Sequence, residues 1–103
     1  MAIEEDRTAV VTANGASNWV PLRAGKANAI SVTATTWGAS TTAALEISDD
    51  GTNDTMSPLK LRGVAVVLTS NDRFVIDSPG YVRIVVADYS GSTQISLTRV
   101  YPI

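Results

Sequence analysis

The segment Ser48–Asp54 (SDDGTND) has the residue types that come closest to a metal site. Clustered carboxylate and amide oxygens suit Ca²⁺, which takes about six to eight oxygen ligands. A calcium loop of the EF-hand type spaces its ligands at alternate positions and closes with a glutamate, whereas this segment has neither feature. Aspartate and asparagine also bond backbone groups in turns, where glycine adopts a positive φ. We therefore predict a hairpin turn and no metal site.

Carboxylates occur along the whole chain without identifying a catalytic pair. Glycoside hydrolysis needs two of them roughly 5–9.5 Å apart in a cleft. Those outside the acidic loop fall mostly at turns or on outward strand faces, and they are Glu4, Glu5, Asp6, Glu46, Asp72, Asp77 and Asp88. The chain has no histidine and no cysteine, so the commonest general base and the thiol nucleophile are missing. We expect a protein that is not an enzyme and that uses no cofactor.

Aromatic side chains are the remaining candidates for binding, and they are Trp19, Trp37, Tyr81, Tyr89 and Tyr101. Exposed aromatic rings stack on sugars or anchor a protein partner. Trp37 opens the predicted turn Trp37–Ser40, where its ring is accessible. Trp19 adjoins apolar Val20 and Leu22, which favours burial or a subunit contact. Packing in the core or at an interface is favoured over sugar binding.

Alternation of apolar and polar residues predicts the β-strands that position these side chains. The clearest pattern covers Ala29–Thr36, where Ile30 and Val32 share a face. Thr42–Ser48 repeats it with Leu45 and Ile47 inward. A slip by one residue would expose these apolar side chains, so the pattern also fixes the register of both strands.

The other predicted strands are short and separated by turn residues. They are Arg7–Ala13, Asn18–Leu22, Met56–Leu61, Val64–Ser70, Arg73–Asp77, Tyr81–Ala87 and Thr93–Tyr101. Pro21 cannot donate a backbone hydrogen bond, so its strand is predicted at a sheet edge. Asn14-Gly15 is a strong turn signal. Eight or nine short strands without helical periodicity predict an all-β fold, an antiparallel, jelly-roll-like β-sandwich, with a small barrel as the alternative.

Length and composition limit the remaining possibilities. The 103 residues suit a single domain, which we place at 1–103 with 1–6 as an N-terminal extension. Only 17% of the residues are charged and the net charge is −2, which argues against binding to nucleic acid. The first residues, MAIEEDRTAV, lack the features of a signal peptide. The longest nearly apolar run, Val64–Leu68, is far below the ~20 residues of a membrane span, so we expect a soluble protein that has no contact with a membrane.

The pattern of turns and strands over about residues 29–100 resembles small structural proteins of tailed bacteriophages. The matching positions are Trp37-Gly38, Ser48–Thr52, Pro58-Leu59, Gly80–Arg83 and Gly91–Thr93. This resemblance implies a virion component, a capsid cement or decoration protein with a sandwich or jelly-roll-like fold. Such proteins act as dimers or trimers clamped over joints between subunits of the major capsid protein. The chain would be made in the host cytoplasm and end on the capsid surface.

We expect the interface to involve the N-terminal segment, especially Ile3 and Arg7, and then Trp19 and Trp37. Pairing with a neighbouring subunit would hold that segment in place. An alternative is a tail, fibre or baseplate module that binds another virion protein or a host-surface glycan. Its sugar contacts would come from Trp37 with Tyr81 or Tyr89.

Overall fold

The computed structural model describes residues 7–25, 27–77 and 79–100. Within them the chain forms twelve short strands and one turn of 3₁₀ helix at Asn53–Thr55. The strands are β1 (Arg7–Val11), β2 (Gly15–Ala16), β3 (Val20–Leu22), β4 (Asn28–Thr33), β5 (Thr42–Ser48), β6 (Ser57–Pro58), β7 (Lys60–Leu61), β8 (Val64–Ala65), β9 (Val67–Leu68), β10 (Asp72–Ile76), β11 (Gly80–Ala87) and β12 (Ile95–Val100).

Two antiparallel sheets make up the fold. Sheet A has the order β1-β12-β4-β10. In sheet B, β11 and β5 form the centre, β2 and β3 pair with β11, and β6 and β9 pair with β5. Each of these outer pairs is one interrupted strand. Counted in that way, every connection except the one from β5 to β6 passes from one sheet to the other, and the first strand lies beside the last. This is the order of a jelly roll, so the predicted antiparallel β-sandwich is confirmed.

The core lies between the sheets and follows the alternation in the sequence. From sheet A, Ile30, Val32 and Leu97 have no exposed surface. From sheet B, Ile84 is fully buried and Leu45 is 1% exposed. The strand Thr42–Ser48 has the predicted limits, because its apolar positions must face the core and a shift would expose them.

Two predicted strands are interrupted where the chain leaves sheet B. Met56–Leu61 and Val64–Ser70 each break into two short strands, because a hairpin projects between β6 and β9. Its turn uses Arg62 and Gly63, with φ values of 54° and 80°, and two consecutive positive φ angles are typical of a tight type I′ turn. Arg-Gly is a weaker signal for this turn than Asn-Gly, so the sequence does not reveal it.

Side chains join the loops at one end of the sandwich. The Asn71 Oδ1 atom accepts hydrogen bonds from the Ala34 backbone N–H and the Trp37 Nε1–H, each with an N–O distance of 2.8 Å. The β11–β12 loop is bonded to the same β4–β5 loop, since Ser92 Oγ accepts from the Gly38 N–H at 2.8 Å. Asn14, before β2, accepts from the backbone N–H of Tyr89. We call this set of joined loops the loop cap.

At Gly80, the start of β11 lies very close to the backbone of Ser48. Gly80 has a φ of 113°, and a Cβ added there would lie 2.5 Å from the backbone oxygen of Ser48. Gly63 also has a positive φ, but no atom would lie within 4 Å of its Cβ.

We expect Gly80→Ala to lower the free energy of unfolding by about 2–4 kcal/mol, since it adds a steric clash to backbone strain. Gly63→Ala, the matched control, should lose only about 1–2 kcal/mol. Urea unfolding of the two variants measures the difference, and equal losses would contradict it.

Candidate interaction surface

The outer face of sheet B carries an apolar row across its whole width. Ala16 pairs with Val85, Val85 with Ala44, and Ala44 with Val67. These positions alternate with buried residues, so their side chains project away from the core. Val67 is 53% exposed, and Val85 and Ala44 are half-buried. Sheet B therefore presents apolar side chains to the outside as well as to the core.

Beside this row, the guanidinium group of Arg83 contacts a carboxylate, an aromatic ring and a side-chain amide. Its Nε atom lies 2.8 Å from Glu46 Oε1, and its guanidinium carbon lies 4.3 Å from the centroid of the Trp19 ring. Its Nη1 donates to Asn53 Oδ1 at 3.0 Å. The side chains of Arg83 and Glu46 are only 11% and 21% exposed, so the pair is poorly screened by solvent. The charges of Arg83 and Glu46 thus compensate each other locally.

The acidic loop after β5 folds over the end of the same face. Ser48 is buried and its Oγ accepts from the backbone N–H groups of Gly51 and Thr52, at 3.0 and 3.2 Å. A Cβ added to Gly51 would lie 3.4 Å from atoms of the Tyr81 ring, so the glycine rests against that ring. The segment is a turn closed on itself, as its residue types predict, and it limits access to Tyr81.

Asp50 is the acceptor at the centre of this loop. Its Oδ1 accepts from the backbone N–H and the hydroxyl of Thr52, at 3.0 and 2.7 Å, and from the hydroxyl of Thr55 at 2.7 Å. The hydroxyl of Thr52, followed by that of Thr55, lowers the pKa of Asp50 from 3.8 to about 2, because these bonds favour the charged carboxylate. The aspartate therefore orders the loop that covers one end of the outer face.

Trp37 lies away from this face, in the loop cap. Its ring is half-buried and packs against the core, and its N–H bonds to Asn71. The predicted exposed position at a turn is therefore only partly realised, since the ring fixes one loop to another. A shallow groove of about 440 Å³ lies nearby along sheet A. It is lined by Thr33, Ala34, Thr35, Asn71, Thr93, Gln94 and Ser96, whose neutral hydroxyl and amide groups suit hydrogen bonding to an uncharged polar ligand.

The structure does not bring the sequence-predicted interface residues into one site. Trp19 belongs to the outer face of sheet B and Trp37 to the loop cap. The backbone of Arg7 pairs with that of Arg99 in sheet A, while Ile3 and the predicted extension 1–6 lie outside the described residues. Sequence reasoning missed the part played by Arg83, although the alternation of β11 already places it on the outward side.

Ser57 and Lys60 have the Ser-x-x-Lys spacing of some serine hydrolases. In those enzymes the two side chains act together. Here the residues lie in β6 and β7, and in extended chain positions three apart point to opposite sides. The spacing therefore does not produce that catalytic arrangement.

Comparisons of the chain with protein-family models, with curated proteins and with solved structures found no match. Within the described residues, no helix has the length and apolar character needed to cross a membrane. A functional conclusion therefore rests on the surfaces of this chain alone.

Asp50 gives the loop a measurable pH dependence. Its folded pKa of about 2 lies below its ordinary value of 3.8, so its ionised form stabilises the fold fully above about pH 4, and this contribution is lost as the pH falls through about 2. We expect the Tm advantage of wild type over Asp50→Asn to shrink across that interval in thermal melts. A Tm difference between wild type and Asp50→Asn that stays constant with pH would contradict this role.

Proposed function

We propose that the chain is a non-enzymatic structural protein of a tailed-bacteriophage virion, of the capsid cement or decoration type. In this proposal it docks on the assembled head shell and stabilises it, and its partner is the major capsid protein. The observation that carries the proposal is the outer face of sheet B, which has the composition of a protein contact surface. The chain would act at the capsid surface after synthesis in the host cytoplasm.

The residue types on this face support a protein partner. Protein interfaces are enriched in aromatic residues, methionine and arginine and depleted in lysine and acidic residues. The face offers Trp19, Met56 and Arg83 beside the apolar row. Tryptophan, tyrosine and arginine also dominate the binding energy of many interfaces. Docking would therefore remove mainly apolar and aromatic surface from water.

The Arg83–Glu46 pair makes docking on this face electrostatically feasible. Burying a charge without a partner costs several kcal/mol. Arg83 already has Glu46, Asn53 and the Trp19 ring within bonding distance. A partner could cover these groups without leaving a charge uncompensated, so the face does not require a complementary charge from the capsid.

The architecture suits a protein that acts by attachment. A packed sandwich holds the outer face of sheet B in one shape, so little conformational entropy is lost on docking. Repeated subunits on a shell would allow several modest contacts to add up, provided that the attached protein is itself oligomeric. The proposed dimer or trimer would supply that multivalency.

Two exposed valines allow a matched test of this face. Val67 is 53% exposed on the outer face of sheet B, and Val75 is 57% exposed on the outward side of β10 in sheet A. We expect Val67→Asp to weaken binding to virus heads that lack this chain by at least about tenfold, because docking would bury an unpaired carboxylate. Val75→Asp should bind like wild type. Cosedimentation with the heads measures both variants.

The outcomes separate the parts of the proposal. Wild-type protein that does not sediment with such heads would refute capsid docking. Binding of wild type with no loss in Val67→Asp would show that a surface other than the outer face of sheet B is used. Far-UV circular dichroism would establish that both variants are folded.

The neutral groove beside Trp37 supports a second candidate function, a tail, fibre or baseplate module that binds a host-surface glycan. Sugar hydroxyls would bond to the exposed Gln94 and to the hydroxyl groups along β4 and β12. Gln94→Ala should then lower binding on a glycan array several-fold without a change in Tm, since the residue is exposed. Absence of any glycan bound by wild-type protein would exclude this candidate.

A further inference from the structure

The hairpin β7–β8, residues Lys60–Ala65, projects from the edge of sheet B, and we call it the arm. Its base is fixed by backbone hydrogen bonds: the Leu59 N–H donates to the Leu45 oxygen at 3.0 Å, and the Val66 N–H donates to the Leu59 oxygen at 2.9 Å. Beyond this base, β7 and β8 pair with each other and, among the described residues, form a separate two-stranded sheet. The arm therefore has a fixed origin and little support along its length.

The arm exposes apolar side chains that the described chain covers only in part. Leu61 and Val64 are directly paired and are 41% and 68% exposed. The large hydrophobic residues exposed in the described part of the chain are Val10, Met56, Leu61, Val64, Val67 and Val75, and most of them fall between Met56 and Val67. A two-stranded hairpin is marginally stable alone in water, and grouped apolar exposure marks a contact site.

Charge indicates what kind of surface would cover the arm. Lys60 and Arg62 flank Leu61, and both are exposed. The sequence from Thr55 to Asn71 contains no acidic residue, although the whole chain has a net charge of −2. A complementary surface needs an apolar side chain beside carboxylates. The same chain has that composition in Ile3-Glu4-Glu5-Asp6, immediately before β1.

Distance argues that this segment meets the arm of another copy. β1 is an edge strand of sheet A and packs against β3, whereas the arm leaves the opposite side of sheet B, beyond β5. From Arg7 back to Ile3 the chain reaches at most about 14 Å. Crossing a four-stranded sheet already takes about 14 Å, and the arm begins beyond that. Ile3 therefore does not reach the arm of its own chain.

We propose that the arm of one copy binds the segment Ile3–Asp6 of a second copy. Ile3 packs against Leu61 and Val64, and the carboxylates of Glu4 and Glu5 face Lys60 and Arg62. Because the arm and the start of β1 lie at opposite edges of the sandwich, the contact joins two different surfaces and is heterologous. This deepens the oligomeric part of the proposed function, and its test needs no capsid.

Sedimentation velocity on the full chain tests the contact through charge reversal. Wild type should self-associate, and Lys60→Glu with Arg62→Glu should raise the dissociation constant at least about tenfold. Glu4→Lys with Glu5→Lys should do the same. All four changes in one chain restore opposite charges across the contact, so association should return to within about threefold of wild type. Salt should weaken the wild-type complex.

Arg73→Glu is the control for charge reversal outside the arm, since it reverses another exposed cation on an edge strand. It should leave the dissociation constant within about twofold of wild type. A monomeric wild type, or a fourfold variant that fails to associate, would overturn the inference. The restored association also excludes misfolding as the cause of the losses. Self-association that persists while head binding fails would leave the contact between copies standing and refute only capsid docking.

Discussion

The pairing of β5 with β11 determines the rest of this structure. The two strands match residue for residue from Tyr81 opposite Ser48 to Ala87 opposite Thr42. That register turns Leu45 and Ile84 towards sheet A and turns Glu46 and Arg83 outward. A slip by one residue would bury a charge pair and expose the core side chains, which is far more costly than any loop rearrangement. One ladder of backbone hydrogen bonds therefore determines which side chains of β5 and β11 enter the core and which lie on the outer face of sheet B.

The outer face of sheet B is unusual because it is apolar although it is accessible to water. A half-buried antiparallel sheet normally places polar residues there. In sheet B, Val85, Ala44 and Val67 form an outward row, and the adjacent charges of Arg83 and Glu46 neutralise each other. Such a face balances exposed apolar area against a charge pair that is compensated locally. This balance is what the proposed docking role requires.

Much of the fold could be predicted because its strands alternate cleanly. Thr42–Ser48 was predicted to the residue, and Pro21 lies in β3 at the edge of sheet B, where a missing N–H costs nothing. The arm could not be predicted, since Arg62-Gly63 is a weak turn signal and the apolar residues around it resemble a continuous strand. The apolar row on the outer face of sheet B could not be predicted for another reason. The row depends on the pairing of distant strands, and local periodicity contains no information on which strands are neighbours.

The loop cap has a consequence for how the chain can vary. A single oxygen, Asn71 Oδ1, receives the backbone of Ala34 and the indole of Trp37, and Ser92 ties the same β4–β5 loop to the β11–β12 loop. An inserted residue in one of these loops would displace bonds in the others, so they constrain one another's length and must change together. Among the described residues, the arm has no such ties beyond its base. A change of length or sequence in the arm would therefore leave the core undisturbed and would alter only the contact that we propose for it.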